Sequence, residues 1–399
     1  MGQGNLPHSI QEPNTMLRNN AATSVEAICD TTENNIIVKP ECQVTKFFST
    51  GSTLLNLAMT DNPFYGWPCG RMSNIIGDSS AGKSFLVLTG LAEAAHNPEF
   101  DDYLIVYDDV EFANTFDIKT LFGKKTYDRL QAPRYVDGQP RNSRTVEDWY
   151  ANVMRLLDTG NPFIYVCDST DALTSAAAVA RGMDYVKEQD KNDAEEESGV
   201  AVAPEVKGSY KTDKPKLFSE AFSAIMGGLA ATNSCLLMIS QTRDNLNAMG
   251  YGNQKTRAGG KALKFYATHE MWMTHIANIK KTSKGVDRKI GDTTRLKLTK
   301  NKVTGKQREV DFSLFYSYGV DDIGSCLAFL STTGVCSKSA RSINIDNDFR
   351  GIHLSGTQEK VAKEISENPE LLLRLRLLVG DVWNDIESDV AFDRKAKYE

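Results

Sequence analysis

An α/β fold with a mostly parallel central sheet, covered by helices on both faces, is predicted by three features of the 399-residue sequence. First, short β-rich apolar runs alternate with helical stretches from about residue 47 to 320: MSNII (72–76), YLIVYD (103–108), FIYVCD (163–168) and CLLMIS (235–240). Each is bounded by polar residues or glycine and is too uniformly apolar for a strand with one wet face, so each reads as buried on both sides. Second, the octapeptide GDSSAGKS (77–84) falls between the first run and FLVLTGLAEAA (85–95), which has helical spacing. Third, 41% apolar and 25% charged residues describe a globular chain with a sizeable core and exclude disorder throughout.

In chain order, residues 1–46 contain no aromatic residue and many Asn, Thr and Ser, and read as an N-terminal arm whose only strand-like piece is IIVKP (36–40). The core, 47–320, holds the four runs above. It then adds HEMWMTHI (269–276), TRLKLTKN (294–301) and VDFSLFYS (310–317), whose alternation predicts antiparallel strands. Between Arg181 and Lys216 lies a polar insertion with the run DKNDAEEES (190–198), read as a long loop. Residues 321–399 read as a small C-terminal helical tail domain, with an amphipathic helix in ENPELLLRLRLLVGDVW (367–383) after an Asn-Pro start.

No apolar run approaches the roughly 18 residues needed to span a bilayer. MGQGNLPHSI lacks the build of a secretion signal, and Leu6 stands where an acylation motif needs Ser or Thr. The seven cysteines are scattered without a CxxC pair, which argues against a disulfide framework or zinc ribbon and for a reducing cytoplasm. Net charge is −6, which alone disfavours a nucleic-acid binder. The distribution reverses this, because residues 255–308 hold fifteen Lys or Arg against three acids. A local basic patch outweighs the total, although a solvated surface is an equal reading of charge alone.

GDSSAGKS fits G-x-x-x-x-G-K-[ST] in full, with a strand before and a helix after. Gly77, Asp78, Ser79, Ser80, Ala81 and Gly82 would wrap phosphates with inward N–H groups, and the following helix would add its positive N-terminus. Lys83 would reach the β- and γ-phosphates of a nucleotide and Ser84 would ligate Mg²⁺. FIYVCD ends in Asp168, placed to hold the metal, where a turn-capping Asp is the plainer alternative. YLIVYDDVEFA (103–113) ends in Asp108, Asp109 and Glu111. Hydrolysis needs a base near the γ-phosphate, and spacing alone leaves open which of the three serves.

With these residues assembled, the chain resembles the RecA family of ATP-dependent strand-exchange recombinases, and within it the UvsX-type recombinases of phages. The resemblance covers about residues 47–321 and rests on seven segments in one order: STGSTLLNLAM (49–59), GDSSAGKS, YDDVEFANTF (107–116), FIYVCDSTDAL (163–173), ISQTRDN (239–245), TRAGGKALKFYAT (256–268) and KLTKNKVTGKQREVDFSLFYSYGVD (297–321). It implies a RecA-like P-loop ATPase core that binds ATP and Mg²⁺. It makes Glu111 the catalytic base and Gln241 a γ-phosphate sensor. It implies DNA-binding loops at about 174–216 and 242–260, the latter with Arg243, Lys255, Arg257, Gly259, Gly260 and Lys261. Lys300 and Lys302 fall where the family places lysines that reach a neighbouring subunit's ATP, and arm 1–46 where it grips that neighbour.

Two features depart from the family pattern. The first loop carries the acidic run, which opposes DNA phosphate. The adenine-stacking position matches Ile118, so Phe116, two residues earlier, is the substitute, beside Phe85 at the end of the phosphate loop. The implied function is a DNA-dependent ATPase that forms a filament or ring on single-stranded DNA and pairs it with homologous duplex DNA, in the host cytoplasm if the source is a phage. The alternatives are a RecA-like mediator that loads another recombinase, a hexameric RecA-like helicase, and a P-loop kinase. Glu111 with Gln241 opposes the first, the absence of a transferred arginine finger the second, and residues 242–261 the third.

Overall fold

The computed structural model describes residues 44–197, 213–244, 255–257, 261–339 and 342–392. The arm up to residue 43, IIVKP, Gly259 and Gly260 lie outside the described residues. Helix α1 (Thr53–Thr60) opens the core, with the Ser52 side chain accepting from Leu55 N. Strand β1 (Met72–Gly77) runs through the 77–84 loop into α2 (Lys83–His96). Then come β2 (Leu104–Asp109), β3 (Leu130–Gln131), α3 (Val146–Asp158), β4 (Phe163–Asp168), α4 (Ala176–Glu197), α5 (Asp213–Thr232) and β5 (Cys235–Asp244). Thr145 starts α3 through a reciprocal side-chain-to-backbone pair with Asp148, which satisfies two otherwise orphaned amides. The core closes with β6 (Lys255–Arg257), α6 (Ala262–Tyr266), β7 (His269–Ser283), β8 (Val286–Asn301), β9 (Glu309–Phe315) and β10 (Gly319–Asp321).

The main sheet has the order β10-β9-β8-β7-β1-β5-β4-β2-β3, with β6 pairing β5. From β7 across to β3 all neighbours are parallel. From β7 to β10 all are antiparallel. The parallel strands are apolar on both faces. Along β4, Ile164 and Val166 enter one core, while Phe163, Tyr165 and Cys167 enter the other. Along β5, Cys235, Leu237 and Ile239 alternate with Leu236 and Met238 in the same way. This double burial explains why these runs show no alternation in sequence. Helices α1 and α2 cover the first face; α3, α5 and α6 cover the second.

Beyond β10 come α7 (Asp322–Thr332), the small antiparallel sheet of β11 (Cys336–Lys338), β12 (Ile343–Asn347) and β13 (Ile352–Gly356), then α8 (Gln358–Glu367) and α9 (Pro369–Asp389). Asn368 caps α9, and Pro369 occupies the first turn, where a missing N–H costs nothing. Leu327, Ile345, Val361 and Trp383 join the first apolar cluster. Asp322 accepts from Thr53 N at 2.6 Å and from Arg376 Nε at 3.1 Å, tying α7 and α9 to α1.

Three expectations are corrected. Residues 174–216, expected as one long loop, hold α4 and the start of α5. Ala, Glu, Lys and Gln are strong helix formers, and they outweigh the repulsion of the acidic run. Val179, Met183 and Val186 of α4 stay exposed, so no buried stripe marks the helix in sequence. Strand β5 runs past its expected end at Ser240 to Asp244. There β6 folds back on it, Lys255 opposite Asp244 and Arg257 opposite Thr242, so part of the expected 242–260 loop is a ladder. The strands expected at 269–276 and 294–301 are the bases of one long hairpin, turning at Lys284 and Gly285 with φ of 50° and 76°. Most of its outer residues are exposed on both faces, which removes the alternation that identifies a strand.

Candidate functional site

The carboxyl ends of β1, β5, β4 and β2 meet at one edge of the sheet, with Gly77 opposite Gln241 and Asp109 opposite Asp168. Side-by-side parallel strands make such an edge the natural ligand position of an α/β sheet. A cavity of about 540 Å³ opens there. Ser80, Ala81, Gly82, Lys83 and Ser84 form one end. Phe85, Asn114, Phe116, Lys289, Asp292, Leu314, Phe315 and Tyr316 supply much of the remaining wall. A volume in the range of small-molecule sites, polar on one side and aromatic on the other, suits a nucleotide.

Backbone geometry shapes the end of the cavity formed by the 77–84 loop. Ser80 and Gly82 have φ of 64° and 88°, and Ala81 N donates to Asp78 O at 3.2 Å. A Cβ on Gly77 would lie 2.7 Å from Met273 O, and one on Gly82 would lie 2.3 Å from Leu314 Cδ1. The backbone oxygen leaves Gly77 no room for a side chain, and the positive φ of Gly82 disfavours one there. Gly82 caps α2 without a side-chain hydrogen bond, so no side chain of its own competes for the first-turn amides. Lys83 is buried, and its Nζ donates to Gly77 O at 2.9 Å and Asp78 O at 2.7 Å. Burial lowers its pKa, while the Asp168 and Glu111 carboxylates oppose that shift.

The three carboxylates at the end of β2 and just after it separate clearly. Asp108 is fully buried and accepts from Ser143 N at 2.8 Å, Ser143 Oγ at 2.6 Å and Tyr165 Oη at 2.5 Å, which is a structural role. Asp109 lines the cavity and accepts from Ala113 N and Asn114 N, shaping the turn. Glu111 also lines the cavity, exposed, and its Oε1 accepts from Gln241 Nε2 at 2.7 Å and from Ser169 Oγ. Asp168 is buried, and its Oδ2 accepts from Tyr107 Oη at 2.6 Å. Burial raises its pKa, with the Ser84 and Tyr107 hydroxyls pulling the other way. A buried carboxylate beside the Ser84 hydroxyl is a donor set that fits a hard divalent cation such as Mg²⁺.

Gln241 joins this edge to the basic segment after it. Its backbone N donates to Asp171 Oδ2 at 2.6 Å. Asp171 Oδ1 lies 3.7 Å from Arg243 Nη2, and its carbonyl accepts from Lys214 Nζ at 3.0 Å. The next residue, Thr242, donates to Asp78 of the phosphate loop. Lys255 and Arg257 belong to β6, and Lys261 is exposed just before α6. Lys300 and Lys302 do not line the cavity. Lys300 Nζ donates to Phe265 O at 2.8 Å and to Lys264 O, at the end of α6. Burial and the Lys302 charge lower its pKa to about 8. Lys302 is exposed.

Phe116 lies edge-on to Phe85, ring centroids 5.4 Å apart, within the cavity wall, while Ile118 only packs against the core. Sequence reasoning missed Tyr107, Asp171, Lys289, Asp292 and Tyr316. Asp171 and Tyr107 sit near strand ends and could have been found from that position. The other three carry no spacing signal.

Residues 199–321 match the family model of the RecA N-terminal domain. The chain is 29% identical to Protein RecA 2 of Myxococcus xanthus over 322 residues, 81% of this chain and 76% of that protein. It is 29% identical to Protein RecA of Geobacter sulfurreducens over 333 residues, 84% of each. It is 28% identical to Protein RecA of Chlorobaculum tepidum over 334 residues, 84% and 83%. The α/β sheet with its added antiparallel strands is consistent with a RecA-like core.

Proposed function

We propose that this relative of the RecA proteins is an ATP-dependent recombinase of the UvsX type, which assembles on single-stranded DNA in the cytoplasm and pairs it with homologous duplex DNA. The observation that carries the reading is the 2.7 Å bond from Gln241 to Glu111. Strand β5 thereby touches a cavity carboxylate near its end and leads into the basic 242–260 segment. A nucleotide site and a DNA path joined by one side chain suit a DNA-dependent ATPase better than a kinase.

In this reading the 77–84 loop and the N-terminus of α2 bind the phosphates, and Lys83 neutralises their charge. Ser84 and Asp168 hold Mg²⁺, which supplies further charge neutralisation when bound. Glu111 takes the proton of the attacking water. Gln241 exchanges its bond to Glu111 for one to the γ-phosphate and so reports ATP to the loop. Arg243, Lys255, Arg257 and Lys261 contact DNA phosphates, in a segment that includes Gly259 and Gly260. Lys300 and Lys302 of one subunit complete the ATP site of the next. Residues 1–46 grip the neighbouring subunit, and 321–399 form a C-terminal module.

The test is ATP-dependent joint-molecule formation between single-stranded DNA and homologous duplex, with Lys83→Ala as the control. The wild type is expected to pair the strands only with ATP, and Lys83→Ala to pair none. ATP turnover without pairing would mark a loading factor or helicase instead.

A further inference from the structure

The aromatic side of the cavity holds a charge cluster that phosphate chemistry does not use. Asp292 on β8 is buried, at 6% exposure. Its Oδ2 accepts from Tyr316 Oη at 2.6 Å. Its Oδ1 lies 2.7 Å from Lys289 Nζ and 2.8 Å from His275 Nε2. Lys289 Nζ also stands 5.6 Å from the centre of the Tyr316 ring. Lys289, Asp292 and Tyr316 all line the cavity, and none of them comes from the phosphate loop or its carboxylates.

We propose that Asp292 is a positioning residue for nucleotide binding: it locks Tyr316 and Lys289 into a preformed wall against the base and ribose. The proposal rests on the nucleotide reading of the cavity. Tyr316 follows β9 and is 49% exposed, so packing alone leaves its ring free to turn. A free ring must be ordered when a ligand arrives, at a cost in side-chain entropy. The bond to an ionised acceptor is stronger than one between neutral groups, and it fixes the ring beforehand. Charge balance alone does not require this arrangement, because Lys289 already neutralises Asp292. The separate oxygen given to an uncharged phenol instead serves orientation. The resulting wall offers an aromatic face and an ammonium donor. That chemistry recognises a flat heterocycle with acceptor atoms, or sugar hydroxyls, rather than phosphate.

The test is calorimetric titration of the full chain with Mg–ATP and, separately, with Mg–tripolyphosphate, which lacks the nucleoside. Asp292→Ala should weaken ATP binding about 10-fold, the scale of one lost charged hydrogen bond, and leave tripolyphosphate binding unchanged. Tyr316→Phe keeps the ring, removes the hydroxyl and leaves the Asp292–Lys289 pair intact, and should cost part of that loss. The double variant should be no weaker than Asp292→Ala alone, since the bond that Tyr316→Phe removes is already lost there. Asp292→Asn retains an acceptor for Tyr316 and should recover part of the loss. If Asp292→Ala does not fold, as judged by thermal melting, Tyr316→Phe and Asp292→Asn carry the test. Equal losses for both ligands, additive losses, or unchanged ATP affinity would overturn the positioning role. A wild type that binds tripolyphosphate as tightly as ATP would overturn the nucleoside wall. One that binds neither would overturn the nucleotide reading itself, and this inference with it.

Discussion

The two ends of the cavity are built from different kinds of sequence. At the phosphate end, one octapeptide, Gly77–Ser84, bridges β1 and α2, and Glu111, Asp168 and Gln241 stand at or near the ends of adjacent parallel strands. The aromatic end is assembled from Phe85, Phe116, the Lys289–Asp292 stretch of β8 and the residues after β9, segments far apart in the chain. A site made by backbone conformation demands particular residue types at fixed spacing. A site made by side chains meeting across the fold demands neither. The first kind should fail in chemistry when altered, and the second in affinity.

The largest expected effect lies at the phosphate end. Glu111→Gln should slow ATP hydrolysis by about 10² or more while ATP affinity is nearly kept, because it preserves shape and removes the base. Steady-state turnover together with nucleotide titration checks this. If Asp109→Asn produces the loss and Glu111→Gln does not, the base is assigned to the wrong carboxylate. Asp109 is already engaged with the amides of Ala113 and Asn114, so its change should act through loop shape.

A smaller effect is expected at the other end. Phe116→Ala should raise KM for ATP by about 10-fold, the cost of a lost aromatic contact. It should change kcat little, since uniform binding is lost rather than transition-state stabilisation. A matching fall in kcat would show that the two ends do not act separately.

The smallest effect concerns the strand beside the phosphate loop. His269 begins β7, opposite Ser73 of β1, and its ring nitrogen Nε2 meets Asn301 Oδ1 at 3.2 Å. Burial holds its pKa near 4, below the usual 6.5. The unfolded chain therefore binds the proton more readily between about pH 4 and 6.5. The neutral-histidine contribution to stability is complete above 6.5 and falls as pH drops through that window. Urea unfolding of wild type and His269→Gln at pH 5 and 7.5 should show a shallower pH dependence in the variant. Equal dependence would mean that His269 does not carry the linkage.

The same contrast governs what could be read in advance. β1, β2 and β4 lie within a residue of their expected bounds, because double burial leaves uninterrupted apolar runs between polar stops. The place of the 77–84 loop between β1 and α2, and of Asp168 at the end of β4, was legible because tight turns and strand ends restrict residue type. Helix α4 was not, since its apolar residues stay exposed and its acids imitate a loop. The resemblance marks Lys300 as a lysine that reaches a neighbouring subunit's ATP, but only the fold shows its ammonium at the carbonyls that end α6. Asp292 and Tyr316 lie 24 residues apart on elements that meet only once β8 and β9 pair.

Under the proposed function, the nucleotide site and the DNA path are one coupled device, joined through Gln241. ATP turnover of the wild type at saturating Mg–ATP, with and without single-stranded DNA, tests it most directly. The rate should rise severalfold with DNA and vanish in Lys83→Ala under both conditions. A rate that is the same with and without DNA, in a protein shown to bind both ligands, would contradict it.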